Sequence, residues 1–295
     1  MTVPRNLRVA MVAACPVPLE RGTPVRIVRV AEALADRGHQ VHLVAYHLGS
    51  GTIRESVHLH RTPRVRTYSK LSPGPTYQKL LVMDPLLALT LRRLLSRTEI
   101  DLIHAHHYEG LLVARTATLG RPLPLVYDAH TLLASELPAY GLGLPSSWKR
   151  SIGRRLDRSL PRMARRVVSV TDKIKDRLQA DGGIPEDRIS VISSGVELEL
   201  FEEDPERDRA PQEVKRIAFT GNLAPYQGID LLLQSLAVLA SRRDDVRLTI
   251  ASEASFEPYE ALATRLGIRH LIDLAPVKFA QVPSILADSD IAVSP

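Results

Sequence analysis

Residues 7–46 read LRVAMVAACPVPLERGTPVRIVRVAEALADRGHQVHLVAY, and their order decides the fold. Residues 7–13 are a nearly continuous apolar run, as in a strand covered on both faces. A loop carrying Pro and Gly follows. Pro24 sits where a first helical turn tolerates it, and residues 25–37 read as a helix ending at Gly38. Residues 41–46 form the next strand. Strand, helix and strand in close succession imply parallel strands with helices across the sheet.

The alternation continues outward from this unit. Strands are expected at 57–66, 102–105, 125–127, 167–170 and 189–192, and helices at 78–97, 110–119, 146–166 and 171–180, with a break at Pro161. Residues 202–214, EEDPERDRAPQEV, are charged, Pro-bearing and nearly free of apolar side chains, which marks a linker. The pattern then restarts. Strands are expected at 216–220, 246–251, 270–274 and 291–293, and helices at 229–241, 256–266 and 282–287. The expected class is α/β, with two Rossmann-like, doubly wound parallel-sheet domains facing a cleft. The first covers 1–201, a linker 202–214, and the second, 215–295, is about half of a typical ~150-residue domain.

Composition narrows the class further. Of 295 residues, 44% are hydrophobic and 24% charged, which excludes a disordered or collagen-like chain. The single cysteine, Cys15, excludes an internal disulfide and a Cys-rich metal site. No apolar run is long enough for a spanning helix, and the start of the chain lacks the pattern of a signal peptide, so the cytoplasm is expected. The net charge is +6, but residues 149–177 hold eleven Lys/Arg and three Asp/Glu, so that stretch carries +8 and the rest −2. Such local basicity suits one anionic contact surface rather than general nucleic-acid binding.

Four loops at expected strand ends carry candidate chemistry. In CPVPLERGTP, residues 15–24, Gly22 allows close backbone approach, and Thr23 lies where the helix opens. Arg26 follows in the first turn and can reach a phosphate or carboxylate. The pattern is not GxGxxG, so a nicotinamide fingerprint is absent, and a plain connecting loop accounts for the same residues. After the strand 125–127, Asp128 and His130 point into one crevice, where a histidine can bond a substrate hydroxyl, assist at a reacting centre, or simply pack. In IHAHHYEG, residues 103–110, alternation puts His104 and His106 on one side, near His107 and Glu109. No HExxH or paired carboxylate accompanies them, so cleft lining is expected and no metal. In TGNLAPYQG, residues 220–228, Gly221 and Gly228 bracket a loop that opens a helix, a backbone cradle for a diphosphate. Asn222 and Gln227 can donate there but carry no charge.

Residues 146–166 are a basic amphipathic stretch. Trp148, Ile152, Leu156 and Leu160, with Met163 next, form one apolar stripe among lysine and arginine. Such a helix either meets an anionic membrane surface or packs its stripe on the sheet, and it cannot do both.

Taken together, RGTPVRIVRVAEALADRGHQVHLV, IDLIHAHHYEG, LVYDAH, SSGVELELF and FTGNLAPYQGIDLLLQSL, in order along the chain to ILADSDIAVSP, resemble a family-4-type retaining glycosyltransferase of GT-B architecture. The resemblance implies transfer of a sugar from a nucleotide-diphosphate sugar to an acceptor, with retention and without cofactor or metal. It implies a role in cell-surface polysaccharide or glycolipid synthesis at the inner face of the membrane. It also implies that His130 lines the transferred sugar, and that Gly22, Thr23, Arg26 and Asp128 sit near the phosphate or acceptor. Gly221, Asn222, Gln227 and Gly228 would hold the diphosphate. The implied partners are the nucleotide sugar, a glycan or lipid-linked acceptor, and an anionic membrane at residues 146–166.

Two departures stand against that pattern. Where the family has Arg and Lys in GR-x(4)-KG, this chain has Asn222 and Gln227. The family's E-x(7)-E segment is expected soon after SDIAVSP, so the chain reads as a truncated transferase. A catalytically inactive membrane-surface or partner-binding module is the competing reading. An epimerase of the same architecture needs several cleft carboxylates, and only Asp128 stands near a strand end.

Overall fold

A computed structural model describes residues 6–20, 22–71, 74, 76–140, 143–201, 213–224, 227–277 and 279–295. Most of the expected linker, residues 202–212, lies outside the described residues, as do Pro225 and Tyr226 of the 220–228 loop. The chain divides into two compact units, Met1–Ser194 and Gly195–Pro295.

In the first unit the described residues build a parallel sheet from β1 (Arg8–Ala13), β2 (Gln40–Ala45), β3 (Val57–Arg61), β4 (Leu102–His106), β5 (Leu125–Ala129), β6 (Arg166–Ser169) and β7 (Ile189–Val191). Their order is β3-β2-β1-β4-β5-β6-β7, which is doubly wound and reverses between β1 and β4. The helices are α1 (Gly22–Asp36), α2 (Asp84–Arg97), α3 (His107–Ala117), α4 (Leu133–Glu136), α5 (Ser146–Ser159) and α6 (Asp172–Ala180). Val9, Met11 and Ala13 pack with Ile27, Val28 and Ala31 of α1, while Ala10 and Val12 join the cluster of Leu87, Leu91, Leu111 and Ala114 from α2 and α3. Both faces of β1 are therefore covered, which explains its lack of polar alternation. Gly110 seats α3 against this strand: a Cβ there would lie 2.8 Å from the Val12 carbonyl oxygen.

Several boundaries differ from expectation. Helix α3 begins at His107, not 110, and α1 at Gly22, not 25. Residues Lys79–Met83 form a π-helical turn ahead of α2. The break at Pro161 is real: α5 stops at Ser159 and a 3-10 turn, Leu160–Met163, follows, because proline lacks the N–H that would continue the helix. The apolar stripe of residues 146–166 is corrected too. Lys149, Gly153, Leu160, Pro161 and Ala164 are buried and Leu156 is half-buried, whereas Trp148 is 65% and Ile152 41% exposed. The cause is Gly153, which brings α5 onto the α4 backbone: a Cβ there would meet Ala134 N at 2.5 Å. Lys149 is drawn inward to donate to the carbonyls of Pro138 and Tyr140 at 2.9 and 2.7 Å.

The second unit has β8 (Lys215–Thr220), β9 (Val246–Ala251), β10 (Ile272–Ala275) and β11 (Ile291–Val293), all parallel, in the order β10-β9-β8-β11. Helices α7 (Ile229–Ala240), α8 (Glu257–Arg265) and α9 (Val282–Ala287) accompany them. Phe219, Leu233, Leu248, Ile250, Tyr259 and Ala263 fill its core. Strand β11 lies at the sheet edge, with Ile291 56% exposed. Among the described residues no helix is long and apolar enough to cross a membrane.

Candidate active site

Strands β4 and β5 run side by side, with His106 and Asp128 as register partners near their carboxyl ends. The Asp128 side chain is buried and collects four groups. Arg26, one turn into α1, places Nη2 3.4 Å from both carboxylate oxygens and donates to the Ile192 carbonyl at 2.9 Å. His104 Nε2 and His106 Nδ1 each lie 3.5 Å from Oδ2. His130 Nε2 lies 3.6 Å from Oδ1 and 3.3 Å from His106 Nδ1.

Burial works against the Asp128 charge, but the close approach of His104 first, with His130 and the Arg26 guanidinium, outweighs it and holds the carboxyl below its usual range. Burial pushes His130 down to about 4 and pushes His106 well below its ordinary value. Both are neutral near pH 7, and a neutral imidazole keeps one N–H donor and one lone pair. His104, His106 and Asp128 offer possible ligand atoms within 4.8 Å of one another. Arg26 already pairs with both Asp128 oxygens, so the negative charge that a divalent ion needs is taken by the protein's own cation.

A second buried network continues from β4. His107 is left-handed, with φ 63°, a strain of about 1–3 kcal/mol for a residue with a Cβ. Two carboxylates hold it: Nδ1 lies 3.5 Å from Glu109 Oε2 and Nε2 3.4 Å from Glu136 Oε2. Burial opposes the imidazolium, yet these glutamates raise His107 to about 9. Burial likewise opposes the glutamate charges, but His107 foremost holds Glu136 down at about 2, and His107 with Lys79 lowers Glu109. The Lys79 ammonium donates to Glu109, and Thr131 and Tyr140 donate to Glu136 at 2.8 and 2.6 Å. The row Lys79, Glu109, His107, Glu136 alternates in sign, as buried charges must.

In the second unit the loop after β8 is ordered by backbone bonds. Gly221 N–H donates to Ala251 O at 3.2 Å, Gln227 N–H to Ala224 O at 2.9 Å, and Asn222 Oδ1 accepts from Ala224 N at 3.0 Å. Tyr259 OH anchors the loop by donating to Leu223 O at 3.0 Å. Gly228, at φ 70°, caps α7 in a conformation that glycine adopts without strain.

The sequence profile of Glycosyltransferase Family 4 matches residues 21–200, and that of Glycosyl transferases group 1 matches residues 201–295. This chain belongs to glycosyltransferase family 4. The family-4 chain is 28% identical to a D-inositol 3-phosphate glycosyltransferase of Acidothermus cellulolyticus, across 91% of this chain and 65% of that protein. It spans about half the length of the curated relatives it matches. Among solved structures, sucrose-phosphate synthase from Thermosynechococcus elongatus is similar with a TM-score of 0.77 at 13% identity, covering 99% of this chain and 75% of that one. HepE of Anabaena, in complex with UDP and glucose, is similar with a TM-score of 0.68 at 17% identity, covering 97% and 73%. These likenesses support the GT-B fold class, two doubly wound units, for the family-4 chain.

The structure brings Arg26, Asp128 and His130 of the expected site together. Gly22 is exposed, with open space where a Cβ would stand, and Thr23 beside it is half-buried. Arg26 does reach a carboxylate, but it is the chain's own Asp128. The Gly221 amide is spent on Ala251 at the end of β9 and the Gln227 amide on Ala224 within the loop, rather than offered outward, which corrects the expectation of a cradle built from them. Lys79 and Glu136 escaped the sequence reading. Their signal is a lone charge inside an apolar stretch, QKLLVM and LLASELP, where burial demands a partner.

Proposed function

We propose that this chain takes part in moving a hexose from a nucleotide-diphosphate sugar to an acceptor with retention of anomeric configuration, in polysaccharide or glycolipid synthesis. The carrying observation is the Arg26–Asp128–His130 cluster near the carboxyl ends of a parallel sheet in a family-4 chain. Ligands of open α/β sheets bind at that edge. The UDP and glucose held by HepE support a nucleotide-sugar donor.

In this reading His130, neutral and fixed by Asp128 and His106, bonds the transferred sugar. His104 and, after it, Arg26 help keep Asp128 ionised, and Asp128 in turn orients His130. Gly22 and Thr23 leave room at the start of α1 for the acceptor. In the second unit the diphosphate meets the first-turn amides of α7 after Gly228, whose N–H groups have no intrahelical partner. Gln227 and Asn222 flank it without adding charge. No cofactor or metal is required: the leaving diphosphate oxygen takes the acceptor proton.

The test is a panel of UDP-, ADP- and GDP-hexoses, with thermal stabilisation and transfer to glycan and glycolipid acceptors as readouts. One nucleotide sugar should stabilise the protein, and the anomeric coupling of the product should match that of the donor. Stabilisation by none of them would leave the inactive binding module as the better reading.

A membrane contact is favoured by one separate observation. Trp148 and Ile152 are exposed on α5, and Tyr77 and Leu81, ahead of α2, are 77% and 74% exposed. The two segments meet at Tyr140, which accepts from Lys149 and whose ring a Cβ at Gly74 would touch. Apolar tips beside Arg150, Arg154 and Arg155 suit an anionic lipid surface at the inner face of a membrane. Co-sedimentation with phosphatidylglycerol vesicles should fall in Trp148→Ser and at high salt. Equal pelleting with neutral vesicles would remove this reading.

A further inference from the structure

Strands β2 and β3 meet at the far edge of the first sheet, away from Asp128. His42 and His58 are register partners there, and His60 lies two residues along β3, so the three share one face. The His42 ring is stacked on His58, with centroids 5.0 Å apart and planes at 25°, and lies 5.2 Å from the His60 ring. His42 Nδ1 and His60 Nε2 are 3.0 Å apart. His42 is only 6% exposed, and its Nε2 has no hydrogen-bond partner among the described residues.

Hydrogen bonding alone leaves this cluster unsatisfied. If His42 Nδ1 donates to His60, Nε2 is a buried bare lone pair. If His60 donates, His42 Nε2–H is a buried donor without an acceptor. Ligation through His42 Nδ1 would likewise put the proton on Nε2, so the case for a metal rests on the spacing of His42 Nδ1 and His60 Nε2. Two imidazole nitrogens on one tetrahedral zinc ion, each bonded at about 2.0–2.1 Å, stand roughly 3.3 Å apart. The 3.0 Å between His42 and His60 is close to that edge. As the rings stand, His58 does not bring a nitrogen within 4.8 Å of the other two; it is exposed, and its ring must turn to supply the third ligand.

We propose that His42, His58 and His60 form a binding site for a divalent transition-metal ion of the zinc class, with the fourth position open to water. Imidazoles suit such ions, and a ligand on each strand would clamp β3, an edge strand, onto β2. The cluster differs from His104, His106 and Asp128, where Arg26 already fills the cation's place. It lies outside the proposed transfer site, so its test does not depend on that reading.

The experiment uses the full chain without a polyhistidine tag, titrated with Zn2+ by calorimetry and with Co2+ by visible absorption. One equivalent should bind, Co2+ should give the intense bands of a tetrahedral site, and Zn2+ should raise the melting temperature. His58→Gln and His60→Gln, at partly exposed positions, should keep the fold and each weaken binding at least about 10-fold, since even outer-shell changes cost that much. His104→Gln should bind as the parent does. Absence of binding, binding unaffected by the β3 variants, or binding lost in His104→Gln would each overturn the proposal.

Discussion

The two units share one plan, a parallel sheet with a loop and helix after its first strand, and fill that loop's neighbourhood in opposite ways. In the first, Arg26, Asp128, His104, His106 and His130 form a buried side-chain cluster. In the second, Gly221 bonds Ala251 of β9, Tyr259 of α8 bonds Leu223, and Asn222 and Gln227 bond Ala224, all without a charged side chain. The first site is held by buried charge and is costly to disturb. The second is held by neutral hydrogen bonds and is cheap to change.

The widest contrast should come from limited proteolysis. Cutting should begin within 202–214 or in the second unit, whose edge strand leaves Ile291 56% exposed, and a fragment of about residues 1–200 should survive. Equal resistance of both units would break the comparison. Asp128→Ala should destabilise the first unit by about 3–5 kcal/mol in urea unfolding, because it strands the buried Arg26 charge. Asn222→Ala should cost the second unit only about 0.5–1.5 kcal/mol, one neutral hydrogen bond. His130→Ala should lower transfer by about 100-fold with little change in melting temperature, and full activity would remove its assigned role.

The pH profile sharpens the contrast, because the first unit holds two histidines shifted in opposite directions. His130, near 4 when folded against an ordinary 6.5, contributes stability that is complete above 6.5 and lost as pH falls towards 4. His107, near 9, contributes stability that is complete below 6.5 and lost as pH rises through 9. Melting of the first unit should therefore peak near pH 6.5, and His107→Gln should flatten the alkaline limb alone. An alkaline limb that persists in that variant would show that its glutamate cage does not set the profile. The smallest effect belongs to the second unit. Gln227→Lys should tighten nucleotide-diphosphate binding by about a few-fold, since charge-assisted bonds are roughly twice as strong as neutral ones. Weaker binding would mean that the loop faces away from the phosphates.

Much of the fold was legible. The apolar run 7–13, the stop at Gly38 and the interruption at Pro161 are local signals, and each element formed. Of the candidate site, Asp128 and His130 were legible because they stand at a strand's carboxyl end, where sheets of this class place their ligands. Lys79 was not, because its partner Glu109 is 30 residues away and no period links them.

The sequence by itself determined the alternation of strands and helices, and hence two parallel sheets, because periodicity and backbone breakers act over a few residues. It also carried the family. Only the tertiary structure decided that Arg26 is paired within the chain, that α5 buries Lys149 and Gly153 rather than Trp148, and that His42, His58 and His60 stand together. The reason is physical. Which face an element hides depends on the shape of the neighbour it meets, and a buried charge is settled only by the opposite charge the fold brings to it.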